Sequence, residues 1–223
     1  MNRHKYLLFD LDGTLLDNRE AIVEAVMYAA CKYAPGCYLE EELRGRFGET
    51  FDDFLNDLEQ RAAAPVDRVR VYEDYVQFLR EHHDQQVKLF PYVEEGLYSL
   101  KSQGFRMAVV TNKQREFALK GLELAGLLHL FEAVVTLDDV AEGKPSPEPL
   151  RKALYLLQAE PQASLMVGDS IYDWQAAKAA GVESVLLDWY GDARQKVPDA
   201  DDCFPNFRKF VDRLLTPIMN ERA

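Results

Sequence analysis

The chain has 223 residues, 48% hydrophobic and 29% charged, which is ordinary globular usage and length enough for one large domain or two modest ones. Its formal charge of −12 argues against a nucleic-acid or anionic-membrane partner, because both require a basic surface to displace counterions. An acidic protein that binds a phosphate anion needs local compensation, and a divalent metal held by carboxylates is the economical way to provide it.

Tyr6-Leu-Leu-Phe9 is the first element, four apolar residues that read as a buried strand. It delivers Asp10 and Asp12 into a turn at Gly13. In extended chain alternate side chains share a side, and glycine lets a ligand approach the backbone with no Cβ in the way. From Asn18 to His83 the pattern turns helical. Ile22, Val26, Ala29 and Tyr33 recur at helical spacing, as do Phe51, Phe54, Leu55 and Leu58. A third helix, opening near Pro65, carries a stripe of Val69, Tyr72, Val76 and Leu79. Between two helical segments, Arg44, Arg46, Gly48, Glu49 and Thr50 form a polar loop, expected to face the site with Arg46 as a substrate contact. His82 and His83 fall in the hinge region beyond these helices.

Beyond Gln85, short apolar runs alternate with helical ones, the signature of a parallel sheet. The runs are Phe105 to Val110, Ala133 to Thr136, Ser164 to Val167 and Ser184 to Leu187. Gly104, Gly126 and Gly181 read as helix stops. Ser146, Pro147 and Glu148 read as a helix start with a capping hydroxyl, a preset φ and an acidic first turn. The expected architecture is α/β: a Rossmann-like parallel sheet core formed by residues 1–14 and 85–223, interrupted by a helical insertion over residues 15–84.

Ligands of open parallel sheets bind beyond the carboxyl ends of the strands, so the polar residues just after each run are the candidates. A carboxylate such as Asp10 can attack phosphorus, and a second such as Asp12 can give a proton to the leaving oxygen and later take one from water. Taken alone, an Asp-x-Asp-Gly is also ordinary turn chemistry. Thr111 and Asn112 come directly after the second run and offer a hydroxyl, an amide and backbone N–H groups to phosphoryl oxygens. Asp169 and Asp173 come after the fourth, spaced to sit one helical turn apart, and Mg²⁺ prefers such oxygens; Asp173 reads as a ligand or as support for one. Lys144, just before the Ser146 helix start, is the remaining cation, and Lys113 is either a substrate contact or a solvent lysine.

The residues Asp10-Leu-Asp12-Gly13-Thr14, then Thr111, Lys144, and Asp169 with Asp173, in that order along nearly the whole chain, resemble the four motifs of the haloacid dehalogenase-like superfamily. The resemblance implies that Asp10 is the nucleophile and Asp12 the acid/base. It also implies Mg²⁺ on the Asp10 carboxylate, the Asp12 main-chain carbonyl and Asp169, with Lys144 neutralising Asp10 and the phosphoryl group and a helical cap where this chain has its insertion. Asp12 is the proton donor that phosphatases and phosphomutases of the superfamily carry and carbon–halogen cleavers lack, which argues against dehalogenation. Lys32 to Tyr38, Thr111-Asn-Lys113, Thr136 to Val140 and Gly143 to Pro149 look like the phosphoglycolate phosphatase and cytosolic pyrophosphatase branch.

The leading expectation is a Mg²⁺-dependent phosphohydrolase acting on a small phosphorylated metabolite or pyrophosphate. A sugar phosphomutase on the same scaffold and, from a different class, a phosphoacceptor signalling module are the alternatives; the large insertion and the Asp-x-Asp spacing count against the latter. The three cysteines form no C-x-x-C pair and read as free thiols. The N-terminus leads into a strand rather than a signal-peptide core and no run is long enough to span a bilayer, so a cytoplasmic location is expected, with no membrane partner and an oligomeric state left open.

Overall fold

The computed structural model describes residues 4–191, 197 and 200–216. Residues 1–3 of the expected N-terminal segment, the remaining C-terminal residues of the expected core and the side chain of His83 lie outside that description. In chain order the elements are β1 (Tyr6–Phe9), α1 (Arg19–Tyr33), α2 (Glu40–Gly45), α3 (Phe51–Arg61), α4 (Arg68–Gln86), α5 (Val93–Ser102), β2 (Arg106–Val110) and α6 (Arg115–Leu124). They continue with β3 (Ala133–Val135), α7 (Glu148–Leu157), β4 (Ser164–Gly168), α8 (Ile171–Ala180), β5 (Glu183–Leu187), β6 (Asp202–Phe204) and α9 (Phe207–Leu215).

The six strands form one sheet in the order β3-β2-β1-β4-β5-β6, and every pairing is parallel. Helices must then cover both faces, which is why the strands read as unbroken apolar runs. Alternation along β1 divides the work: Leu7 and Phe9 pack with Leu97, Leu122, Phe207 and Phe210 on one face, while Leu8 packs with Leu150, Ala153, Ala176 and Ala177 on the other. β1 pairs with β2 on one side and β4 on the other. Strand order reverses there, and the crevice that forms at such a switch point opens beyond the end of β1, where Asp10 sits.

Helices α1 to α4 hold an apolar cluster of their own, including Ala29, Ala30, Phe54, Leu55, Leu58 and Val71. A second cluster, Ala25, Tyr75, Val76 and Leu79 with Phe117, joins them to α6. The chain leaves the sheet and returns to it through two connectors that pair with each other: Leu16 and Leu89 form an antiparallel bridge, Asp17 N–H donates to Lys88 O at 2.8 Å and Phe90 N–H to Leu15 O at 3.2 Å.

Several local expectations are corrected. The core-facing stripe of α4 is Val71, Tyr75, Val76 and Leu79, whereas Val69 and Tyr72 are exposed; their spacing is equally helical, but they occupy the neighbouring face. That helix opens at Arg68, not near Pro65, because the Asp67 carboxylate caps the N–H groups of Val69 and Arg70. Arg44 belongs to α2, a short helix not expected from the sequence. At α7 the cap position falls on Pro147, one residue later than Ser146, although the Ser146 hydroxyl still accepts from Glu148 N–H at 3.3 Å. The Glu148 carboxylate turns back to hold the N–H groups of Ala141 and Glu142. The sixth strand, Asp202–Phe204, was not expected: three half-buried residues carry too little period to register. The glycine stops hold, with Gly181 in the left-handed region at φ 72° as the cap of α8.

Candidate active site

β1 ends at Phe9, and Asp10 N–H donates to Val167 O of the neighbouring strand at 2.9 Å, so the last sheet bond anchors the aspartate itself. The buried Asp10 carboxylate accepts from Lys144 Nζ at 2.6 Å. That ammonium also donates to Asp173 Oδ1 at 2.6 Å and Val110 O at 3.0 Å, which uses all three of its N–H groups. One carboxylate oxygen from each of Asp10, Asp169 and Asp173 lies within 4.8 Å of the others. Thr14 Oγ donates to Asp169 Oδ1 at 3.4 Å. Gly13 is required where it stands: φ is +82°, and a Cβ there would lie 2.4 Å from Asp169 Oδ2 and 2.6 Å from the Phe47 ring.

The first residues of α8 shape the acidic end. Ser170 caps the helix and Asp173 completes a reciprocal box, its Oδ2 accepting from Ser170 N–H at 3.1 Å, Ser170 Oγ at 2.6 Å and Asp169 N–H at 3.3 Å. Asp169 therefore precedes the helix, and the Asp173 carboxylate folds back beneath it. With Oδ1 on Lys144 as well, both Asp173 oxygens already accept from the protein, which suits a support for the neighbouring groups better than direct ligation. Gly168 permits this, since a Cβ there would come within 2.4 Å of Asp173.

Asp12 faces the cleft beside this cluster. Its carboxylate accepts from Lys113 Nζ at 2.9 and 3.1 Å, and also from the Asn18 amide. Thr111 is buried, and its Oγ accepts from Lys113 N–H at 3.1 Å, which leaves its own O–H free to donate. Asp10, Asp12, Thr111, Lys113, Lys144 and Ser170 share the walls of one cleft with Phe47, Gly48, Glu49, Phe51 and Tyr75 from the helical segment. The sheet edge thus brings the dispersed candidates together.

Residues 7–187 match the family model described as haloacid dehalogenase-like hydrolase. The chain belongs to that family. The hydrolase is 36% identical over 183 residues to the pyrophosphatase PpaX of Bacillus anthracis, an alignment covering 82% of each chain. A crystal structure described as a predicted phosphoglycolate phosphatase from Haemophilus somnus superposes with a TM-score of 0.81 at 26% identity, over 96% of this chain and 99% of that one. A hydrolase from Pseudomonas syringae shares the fold, with a TM-score of 0.83 at 23% identity over 95% and 98% of the two chains. Within the family, this hydrolase is a phosphatase.

The electrostatics of the site are those of crowded acids. Burial, the largest influence on Asp10, pushes its carboxyl up to about 7; Lys144 opposes the rise, and the charges of Asp173 and Asp12 reinforce it. Asp169 is raised well above the ordinary carboxylate range by burial and by Asp173 and Asp10. Burial alone would lower the Lys144 ammonium, but Asp10 and Asp173 outweigh it and hold the lysine above its usual value. Once ionised, three carboxylates facing one ammonium would leave two negative charges in a small volume lined by oxygens. A hard divalent cation fits that donor set.

Not every candidate reaches the cleft in the expected manner. The Asn112 amide is committed to protein: its Oδ1 accepts from Lys144 N–H at 2.7 Å, and its Nδ2 donates to Lys144 O at 2.8 Å and Gly48 O at 3.1 Å. It holds the lysine loop rather than offering its side chain to phosphate. Arg46 lines the adjoining pocket instead and pairs with Glu49 and Asp57, while Arg44 pairs with Glu20 and Glu40, away from the cleft. In the sequence Asn18 marks only the start of the helical stretch, and Ser170 is only one of the polar residues that follow the fourth run. Ser170-Ile-Tyr-Asp173 carries the S-x-x-D helix-start pattern that announces the latter, but no periodicity marks an asparagine six residues beyond Asp12. No described helix is long and apolar enough to cross a membrane.

Proposed function

We propose that this phosphatase is Mg²⁺-dependent, works through an aspartyl-phosphate on Asp10, and acts on pyrophosphate or a small phosphomonoester of the 2-phosphoglycolate kind. One observation carries the reading: the Asp10 carboxylate stands at the switch point of the sheet, held by Lys144 at 2.6 Å and clustered with Asp169 and Asp173. Asp10, the Asp12 main-chain carbonyl and Asp169 would hold the ion, with Asp173 behind them. When bound, Mg²⁺ supplies charge neutralisation for the phosphoryl oxygens and for the crowded acids.

Asp10 Oδ attacks phosphorus as the bond from phosphorus to the leaving oxygen breaks, and Asp12 gives its proton to that oxygen. In the second half Asp12 takes a proton from water, whose oxygen attacks phosphorus and releases Asp10. Lys144 keeps a positive charge beside Asp10 throughout, and the free O–H of Thr111 donates to a phosphoryl oxygen. Residues 15–84 act as a cap over a core formed by 1–14 and 85–223. Their own apolar cluster, the paired connectors at Leu16 and Leu89 and the placement of Phe47 to Glu49 in the cleft wall support that division, and a cap there would exclude water from the intermediate. The similarity to PpaX pyrophosphatases supports pyrophosphate as a substrate, and the likeness to the Haemophilus somnus structure described as a predicted phosphoglycolate phosphatase supports 2-phosphoglycolate.

The test is phosphate release with Mg²⁺ from pyrophosphate, 2-phosphoglycolate and glucose 1-phosphate, with product analysis. Hydrolysis of the first or second is expected, with Asp10→Asn inactive and Asp12→Ala slowed by about 10² to 10⁴-fold. Full activity of a folded Asp10→Asn variant would refute the nucleophile assignment, and conversion of glucose 1-phosphate to an isomer would favour a mutase.

A further inference from the structure

We propose that Lys113 is a specificity-determining residue that selects substrates whose leaving group is itself an anion. The inference rests on the proposed role of Asp12 and extends it to the other half of the substrate. Lys113 is held from both sides, its N–H on Thr111 Oγ at 3.1 Å and its carbonyl accepting from Leu137 N–H at 3.2 Å. Its side chain is only 7% exposed, and among the described residues Asp12 is the acid it pairs with. Two of its three N–H groups account for the contacts with Asp12, so one remains for a further acceptor.

Lys113 and Lys144 are the basic residues lining the cleft. Lys144 has no donor left over, since Asp10, Asp173 and Val110 O take all three. Arg46 is tied to Glu49 and Asp57. Among the described residues that line the cleft, Lys113 is therefore the cation with a donor left for a leaving group beside Asp12. Ile22, Phe51, Tyr75, Leu79, Phe117 and Leu137 make much of the cleft wall apolar. Where the wall is apolar it strengthens the attraction between an ammonium and an anion. A carboxylate or second phosphate next to the scissile bond would meet the Lys113 ammonium as a counter-charge, and a neutral alcohol would not.

The experiment compares kcat/KM for 2-phosphoglycolate and its methyl ester, and for pyrophosphate and phenyl phosphate, in the wild-type chain, Lys113→Met and Lys113→Arg. Both substrates of a pair are measured on one preparation, so each ratio is independent of the folded fraction. Wild type should prefer the charged leaving group, Lys113→Met should reduce that preference by about 30-fold or more, the usual scale for removing one partner of a desolvated charge pair, and Lys113→Arg should retain most of it. An unchanged ratio in Lys113→Met, or an equal fall for both members of each pair, would overturn the proposal while leaving Asp10 and Asp12 in place. A wild-type chain that releases phosphate from none of the four would instead overturn the underlying phosphatase mechanism, and this assignment with it.

Discussion

Replacing Lys144 with Met removes the cation on which the acidic cluster is built and leaves its volume nearly filled. The Lys144 side chain is 3% exposed and its ammonium holds Asp10 and Asp173 at 2.6 Å each, so the variant keeps buried carboxylates without their counter-charge. Removal of one partner from a buried pair costs about 3 to 5 kcal/mol. With a urea dependence of about 2 to 3 kcal/mol/M for a chain of this size, the unfolding midpoint should fall by about 1 to 2.5 M at pH 8 without divalent ions. The pH dependence carries the sharper signature. Asp10 holds its proton up to about 7 when folded, against 3.8 as its ordinary value, so its contribution to the folded state is fully present below 3.8 and is lost progressively as pH rises from there to about 7. Without Lys144 the influence that opposes this rise is gone. The deficit should therefore be large at pH 8, small at pH 5, and partly recovered at pH 8 by saturating Mg²⁺. Urea melts at the two pH values, with and without Mg²⁺, provide the measurement; an equal deficit at both, or one below about 1 kcal/mol at pH 8, would refute the reasoning.

Mg²⁺ must displace the protons that burial and crowding hold on Asp10 and Asp169, so its apparent affinity should fall by about tenfold per pH unit below about 7 on account of Asp10, and more steeply where Asp169 also holds a proton; calorimetric titration giving one affinity from pH 5 to pH 8 would contradict the raised carboxyls. Gly13→Ala forces a Cβ to 2.4 Å from Asp169 Oδ2 at a φ of +82°, and should weaken Mg²⁺ binding and turnover together by at least about tenfold. Retention of both within twofold would show that the turn yields. Asn112→Ala frees the lysine loop from its clamp and from Gly48, so kcat should drop by about tenfold or more, with smaller effect in Asn112→Asp, which keeps the acceptor for Lys144 N–H. A change confined to KM would point to substrate contact instead.

Much of the sheet core was legible because a parallel sheet covered on both faces imposes continuous apolar runs, and Tyr6–Phe9, Arg106–Val110 and Ser164–Gly168 carry them plainly. Where burial is partial the signal fades. Asp202–Phe204 escapes notice for that reason, and half of the expected α4 stripe, Val69 and Tyr72, lies off the core face although Val76 and Leu79 pack, because all four share a helical spacing. The polar residues of the site could be found at the positions just past the carboxyl end of each strand, since strand direction alone puts those positions on one edge.

What sequence order cannot express is which donor meets which acceptor. Asp10, Asp12, Thr111, Lys144 and Asp169 are candidates by residue type and by position along the chain, and their roles come from the order they share with the motifs of the superfamily they resemble. Only the folded arrangement decided that Asp173 spends its oxygens on Lys144 and the Ser170 turn, that Asn112 clamps the lysine loop, that Arg46 pairs within the helical segment, and that Lys113 lies on Asp12. Those pairings join residues as far as 101 positions apart. Short-range periodicity reports the face a residue occupies, and hydrogen-bond partnership depends on ångström distances set by the packing of the whole sheet and its helices.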